Sequence, residues 1–153
     1  MIWRESGMMR TLSTGQGHYV LLDHTADVAV RVFGQTRKEL FENAALALAD
    51  LLTDPYKLEK KEARAITVEA GDLDGLWVNW LREILYLFAG EKKLACAVQV
   101  MELSETRLSA MVWMDAFDPE KHELRGELKA VTYHQARVSQ DDEGWKGTVV
   151  FDV

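Results

Sequence analysis

Hydrophobic positions follow two different periods along the chain, and the two periods separate strands from helices. Val28, Val30 and Val32 recur at every second position, the spacing of a strand that buries one face. Apolar residues recur three and four apart between positions 40 and 52, and again between positions 73 and 88. That spacing is typical of one helical face, so the pattern predicts two amphipathic helices among several strands.

Local signals indicate where the two helices begin and end. Thr36 followed by Glu39 is the capping-box spacing, which predicts the start of the first helix. The first helix should end at Asp54-Pro55, because proline disfavours helical backbone at the residue before it. Asp72 is the expected N-cap of the second helix, and Gly90 its expected stop.

The other apolar runs predict strands and a fold class. They cover residues 18–22, 28–33, 65–70, 95–103, 107–114, 128–138 and 145–152. We therefore predict an α+β fold, in which two amphipathic helices pack on one face of a mainly antiparallel or mixed β-sheet. A single domain should cover residues 18–153, and residues 1–17, rich in Gly, Ser and Thr, should form a flexible tail.

Composition narrows the function classes. The chain has 153 residues, 48% of them hydrophobic, yet no apolar run approaches the length of a membrane span. Cys96 is the single cysteine, so we expect no disulfide, a buried inert thiol and a cytoplasmic location. The net charge of −7 argues against direct binding to nucleic acid.

Acidic groups near both ends of the chain suggest a metal site. Asp23, His24 and Asp27 lie in the turn between the first two predicted strands, whereas Asp152 and the α-carboxylate of Val153 end the last strand. Two like charges ~4 Å apart repel by roughly 4 kcal/mol at an effective dielectric near 20. A divalent cation that prefers oxygen, namely calcium, magnesium or manganese, would relieve this repulsion. The alternative is an ordinary turn hydrogen bond at Asp27 and a solvent-exposed carboxylate at Asp152.

Two further groups of polar residues have weaker signals. Lys129 and His134 should face opposite sides of one strand, where Lys129 could bind an anion and His134 could take part in polar recognition. The alternative is a plain strand with one polar face. His122, together with Asp118, lies in a predicted proline turn and could belong to a surface patch.

Five segments together resemble the archease family. They are LDHTAD at 22–27, FENAALAL at 41–48, FDPEKHE at 117–123, KAVTYH at 129–134 and FDV at 151–153. In this resemblance the family's metal ligands correspond to Asp27, Asp152 and Val153. Ala29 stands where many relatives carry glycine, and this difference does not involve the proposed ligands.

The resemblance implies an accessory protein rather than an enzyme. Its partner would be the GTP-dependent RNA ligase that joins 2′,3′-cyclic-phosphate or 3′-phosphate ends to 5′-hydroxyl ends in tRNA splicing and RNA repair. It would promote guanylylation of the ligase and repeated turnover, and it would meet RNA and GTP only through the ligase. Two alternatives are a stand-alone metal-dependent hydrolase acting on nucleotides or RNA ends, and a chaperone-like binding module.

Overall fold

The computed structural model describes residues 10–13, 18–22 and 27–153, and these residues form eight strands and two α-helices. The strands are β1 (Arg10–Ser13), β2 (His18–Leu22), β3 (Val28–Gly34), β4 (Glu62–Glu69), β5 (Lys93–Leu103), β6 (Arg107–Ala116), β7 (Ala130–Asp141) and β8 (Gly144–Asp152). The helices are α1 (Arg37–Leu52) and α2 (Leu73–Glu91), and a short 3-10 turn, Pro55–Lys57, follows α1.

The strands divide into two antiparallel sheets. One has five strands in the order β1-β2-β3-β8-β7, and the other has three in the order β4-β6-β5. Every described strand pair is antiparallel. The α+β class with two helices is therefore confirmed, and the expected sheet is in fact two sheets. Strand β1, which lies within residues 1–17, pairs with β2.

Both helices begin at the side chains that the sequence indicates. The Thr36 hydroxyl accepts the backbone N–H of Glu39 at 3.1 Å, and the Asp72 carboxylate accepts the N–H of Gly75 at 2.7 Å. The predicted stop at Gly90 is wrong by one residue. Helix α2 continues to Glu91, and Lys92 adopts the left-handed conformation that closes it (φ 56°).

Polar side chains on the helices pair with backbone groups at sheet edges. In α1, Glu42 accepts the N–H of Val100 at 2.8 Å, at the edge of β5. In α2, Asp74 accepts the N–H of Val138 at 2.8 Å, at the edge of β7. Unpaired edge groups can recruit a further strand, so these contacts protect both edges. They also fix each helix against a sheet, and one hydrophobic core joins the helices to both sheets.

Candidate functional site

The end of the five-stranded sheet brings together residues that are far apart in sequence. Val28 in β3 pairs with Phe151 in β8, and both side chains are buried in the core. Extending this register by one residue places Asp27 across from Asp152. On the other side of β8, Asp152 pairs with Ala130 in β7. Three chain segments therefore meet at this end of the sheet.

The last residues of the chain are held by this arrangement. Asp152 is exposed, whereas Val153 is half-buried and its side chain packs against the hydrophobic core. The backbone N–H of Lys129 donates to the carbonyl of Asp152 at 2.8 Å. Asp27 is half-buried, and the Lys129 side chain is exposed. Asp27 and Asp152 thus lie at one end of the five-stranded sheet, which we call the aspartate edge.

Two aspartate side chains alone are a small ligand set for a hard cation, so a site here would also need the α-carboxylate of Val153. Within residues 10–13, 18–22 and 27–153, no group of three or more His, Cys, Asp or Glu side chains is close enough to hold a metal ion. A site here would therefore combine the carboxylates of Asp27 and Asp152 with the α-carboxylate of Val153. All three are oxygen donors, as calcium, magnesium and manganese prefer. Asp23 and His24 lie outside the described residues.

Lys129 and His134 do not share one regular strand. Lys129 precedes β7, next to Asp152, whereas His134 is exposed in a bulge between Thr132 and Arg137. Gln135 in this bulge has a positive φ of 58°. The predicted two-residue alternation therefore fails after Thr132, because the extra residues change which face each side chain occupies.

The expectation for His122 is wrong, because this histidine is buried. Its side chain is 1% exposed, and that of Asp115 beside it is 4% exposed. The His122 Nδ1 accepts the backbone N–H of Asp118 at 3.0 Å, so the neutral ring carries its proton on Nε2. Nε2 lies 3.2 Å from the carbonyl of Lys57 and 3.6 Å from Oδ2 of Asp115. This network joins the loop before β4 to the loop after β6, which is a structural role.

Cys96 is half-buried rather than fully buried. Its Sγ lies 3.5 Å from the carbonyl of Trp113. Burial, and then the negative charge of Asp115, raise the pKa of this thiol. A raised pKa reduces the thiolate fraction at neutral pH, which agrees with the expected low reactivity.

A membrane-spanning segment is not found among the helices that the structure describes. Neither α1 nor α2 is long and apolar enough to cross a bilayer.

Comparison with known proteins gives consistent matches over nearly the whole chain. Residues 19–153 match the Archease protein family. The chain is 37% identical over 139 residues to protein archease of Methanosarcina acetivorans, covering 88% of this chain and 95% of that protein. It is 38% identical over 140 residues to protein archease of Pyrococcus furiosus, covering 89% and 96% of the two chains.

Solved structures agree with these matches. The solution structure of Methanobacterium thermoautotrophicum protein 1598 superposes with a TM-score of 0.74 and 29% identity, covering 90% of this chain and 99% of that one. A Thermotoga maritima crystal structure, described as an archease and possible chaperone, has a TM-score of 0.59 and 20% identity, covering 86% and 94%. The second likeness shows the fold alone.

Proposed function

Because the chain belongs to the archease family, we propose that it is an accessory protein of the GTP-dependent RNA ligase that joins 3′-phosphate ends to 5′-hydroxyl ends. In this role it promotes guanylylation of the ligase and so allows multiple turnover in tRNA splicing and RNA repair. It works in the cytoplasm and is not the covalent catalyst.

The observation that carries the proposal is the register at the end of the five-stranded sheet. Pairing of Val28 with Phe151 aligns the segment of Asp27 with that of Asp152, and core packing of Val153 fixes the end of β8. We propose that Asp27, Asp152 and the α-carboxylate of Val153 hold a divalent cation. A sheet is a rigid support, so the donors need little ordering when the cation binds.

The chemistry assisted is transfer of guanylate to the ligase. A histidine nitrogen of the ligase bonds to the α-phosphorus of GTP, and the bond to the β-phosphate oxygen breaks as pyrophosphate leaves. Negative charge builds up on the phosphate oxygens as this bond breaks. A bound divalent cation would supply positive charge that stabilises these oxygens. The exposed ammonium of Lys129, next to Asp152, adds a second positive charge at the same edge.

The test is turnover of a cognate ligase. With RNA in excess, wild-type protein should raise ligated product above one molecule per ligase and increase guanylate transferred from labelled GTP. Asp27→Asn and Asp152→Asn should abolish both effects. Asp142→Asn is the matched control, because Asp142 is an exposed carboxylate in the turn between β7 and β8. Equal turnover with wild type and Asp27→Asn would overturn the proposal.

The same experiment separates the alternatives. Cleavage of nucleotide or RNA ends by the protein alone, abolished by a chelator, would replace the accessory role with a hydrolase. Stimulation of the ligase that survives both aspartate substitutions would instead favour a chaperone-like binding module. The Thermotoga maritima protein itself is described as an archease and possible chaperone.

A further inference from the structure

The solvent-facing side of the five-stranded sheet carries a group of cationic and hydroxyl side chains. Register sets them side by side, because Thr148 of β8 pairs with Arg31 of β3 and with Arg137 of β7. Two residues away on β8, Lys146 pairs with Phe33 and with Ser139. We call the five polar residues the outer-face cluster: Arg31, Arg137, Ser139, Lys146 and Thr148. They line one cavity of about 270 Å³.

Of the three positive charges in this cluster, only that of Lys146 is paired with a carboxylate in the described part of the chain. Arg31 and Arg137 make no hydrogen bond or ion pair with the described residues. Lys146 pairs with Asp141 at 2.6 Å. By contrast with Arg31 and Arg137, Arg64 has a carboxylate partner, because it binds Glu91 through two hydrogen bonds of 2.9 Å. In a protein of net charge −7, two neighbouring guanidinium groups that bind no described carboxylate are available to an anionic partner.

We propose that the outer-face cluster binds a phosphate group of single-stranded RNA. Guanidinium groups donate paired hydrogen bonds that match phosphate oxygens, and the hydroxyls of Ser139 and Thr148 add neutral donors. No carboxylate is among the described residues that line this cavity. The Phe33 ring, 39% exposed and next to Lys146 on the same face, offers a surface on which a base stacks.

The cluster lies on the same face of the sheet as Asp152, and the buried Val150 separates the two. Thr148 and Asp152 point to the same face of β8, four residues apart, which is about 13 Å along a strand. The choice of RNA rests on the proposed function, whereas the phosphate site itself does not. The protein would then contact RNA directly, which the net charge of the chain does not suggest.

The test is direct binding of a 5′-labelled oligouridylate to the isolated protein, followed by fluorescence anisotropy at low salt. The double variant Arg31→Gln/Arg137→Gln should weaken binding about tenfold or more, the effect of losing a charge-assisted hydrogen bond. Its binding should also depend less steeply on salt than that of wild type. The charge-matched control is Lys57→Gln/Lys121→Gln, since both lysines are exposed and lie outside the cluster.

Three results would overturn the site. Equal weakening by the two double variants would show a general charge effect. Failure of wild type to bind the oligonucleotide would reject the site directly, and so would competition by polyglutamate as effective as that by unlabelled oligouridylate. RNA binding without stimulation of the ligase would keep this inference and reject the proposed function, and the reverse result would reject only this inference.

Discussion

The backbone N–H of Lys129 donates to the carbonyl oxygen of Asp152 at 2.8 Å, just outside the first residue of β7. On its other side, β8 is paired with β3 up to Val28 and Phe151. The end of β8 is therefore hydrogen-bonded to neighbouring segments on both sides. The backbone of Asp152 therefore has a fixed position although its side chain is exposed. Any metal site at this edge requires such a fixed position.

Metal binding at this edge should appear as increased thermal stability. A ligand that binds only the folded state at one hundred times its Kd stabilises it by about 2.7 kcal/mol. For a chain of this size that corresponds to an increase in Tm of about 5 to 10 °C. Calcium, magnesium or manganese should therefore raise the Tm of wild type relative to the protein in a chelator. Asp27→Asn should lose this shift, and Asp142→Asn should keep it.

The α-carboxylate of Val153 can be tested in the same assay without changing any side chain. Two residues, Gly-Ser, added after Val153 move the charge away while leaving the valine side chain packed against the core. The extended protein should keep the Tm of wild type in chelator and lose the shift on adding metal. An unchanged shift in the extended protein would remove Val153 from the ligand set, and an unchanged shift in Asp27→Asn would remove the site.

Local features of the fold can be predicted from the sequence because they depend on near neighbours. The caps Thr36 and Asp72 each bond a residue three positions later, so spacing alone identifies them. The division into two sheets depends on which strands pair over long separations, and no local pattern specifies that. The bulge after Thr132 escapes prediction for a similar reason, since Tyr133 to Ala136 contains no glycine or proline to signal it.

At two places, contacts between residues far apart in sequence decide the environment of a side chain. The turn sequence around His122 predicts a surface residue, but Asp115 and the carbonyl of Lys57 bury it in a hydrogen-bonded network. Arg31 and Arg137 carry no signal in the sequence, because only the pairing of β3, β8 and β7 brings them to the same face. The sum of charges over the whole chain conceals such a local group. The proposed site at Asp27 and Asp152 remains a prediction, which rests on acidic residues near both ends of the chain and on segments that resemble a family.

Gly147 lies on the core side of β8, where any larger residue should destabilise the fold. A Cβ at this position would lie 2.5 Å from Cζ2 and 2.6 Å from Cη2 of Trp77. The indole cannot easily move, since it is fully buried and its Nε1 donates to the carbonyl of Thr148 at 3.1 Å. We expect Gly147→Ala to lower the free energy of unfolding by about 1 to 3 kcal/mol, the usual effect of overpacking a core.

Urea denaturation measures this effect, and Gly71→Ala is the matched control. Gly71 precedes α2, and a Cβ there would meet no atom within 4 Å. Its substitution should change the free energy of unfolding by less than about 0.5 kcal/mol, as at other open surface positions. Equal stability of the two variants would show that the Trp77 side chain can move aside.

Tyr19 should make stability depend on pH in alkaline solution. Its hydroxyl donates to Oδ2 of Asp50 at 2.5 Å, and Oδ1 of the same carboxylate accepts from Arg125 at 3.0 Å. Burial, and then the hydrogen bond to Asp50, raise the pKa of Tyr19 well above its ordinary range. Near neutral pH, Tyr19→Phe should therefore cost about 1 to 3 kcal/mol, because it leaves the buried Asp50 with one donor fewer.

The sign of the pH effect follows from the raised pKa. The folded state keeps the proton that the unfolded chain releases near pH 10, so this stabilisation is complete below about pH 10 and is lost above it. The loss from this group is about 1.4 kcal/mol per pH unit. In urea denaturation between pH 8 and pH 11, the stability difference between wild type and Tyr19→Phe should be constant at first and then narrow. The control is Tyr86→Phe, at an exposed tyrosine, whose free energy of unfolding should change with pH as that of wild type does. If the stability difference between wild type and Tyr19→Phe stays constant to pH 11, Tyr19 ionises as easily in the folded protein as in the unfolded chain.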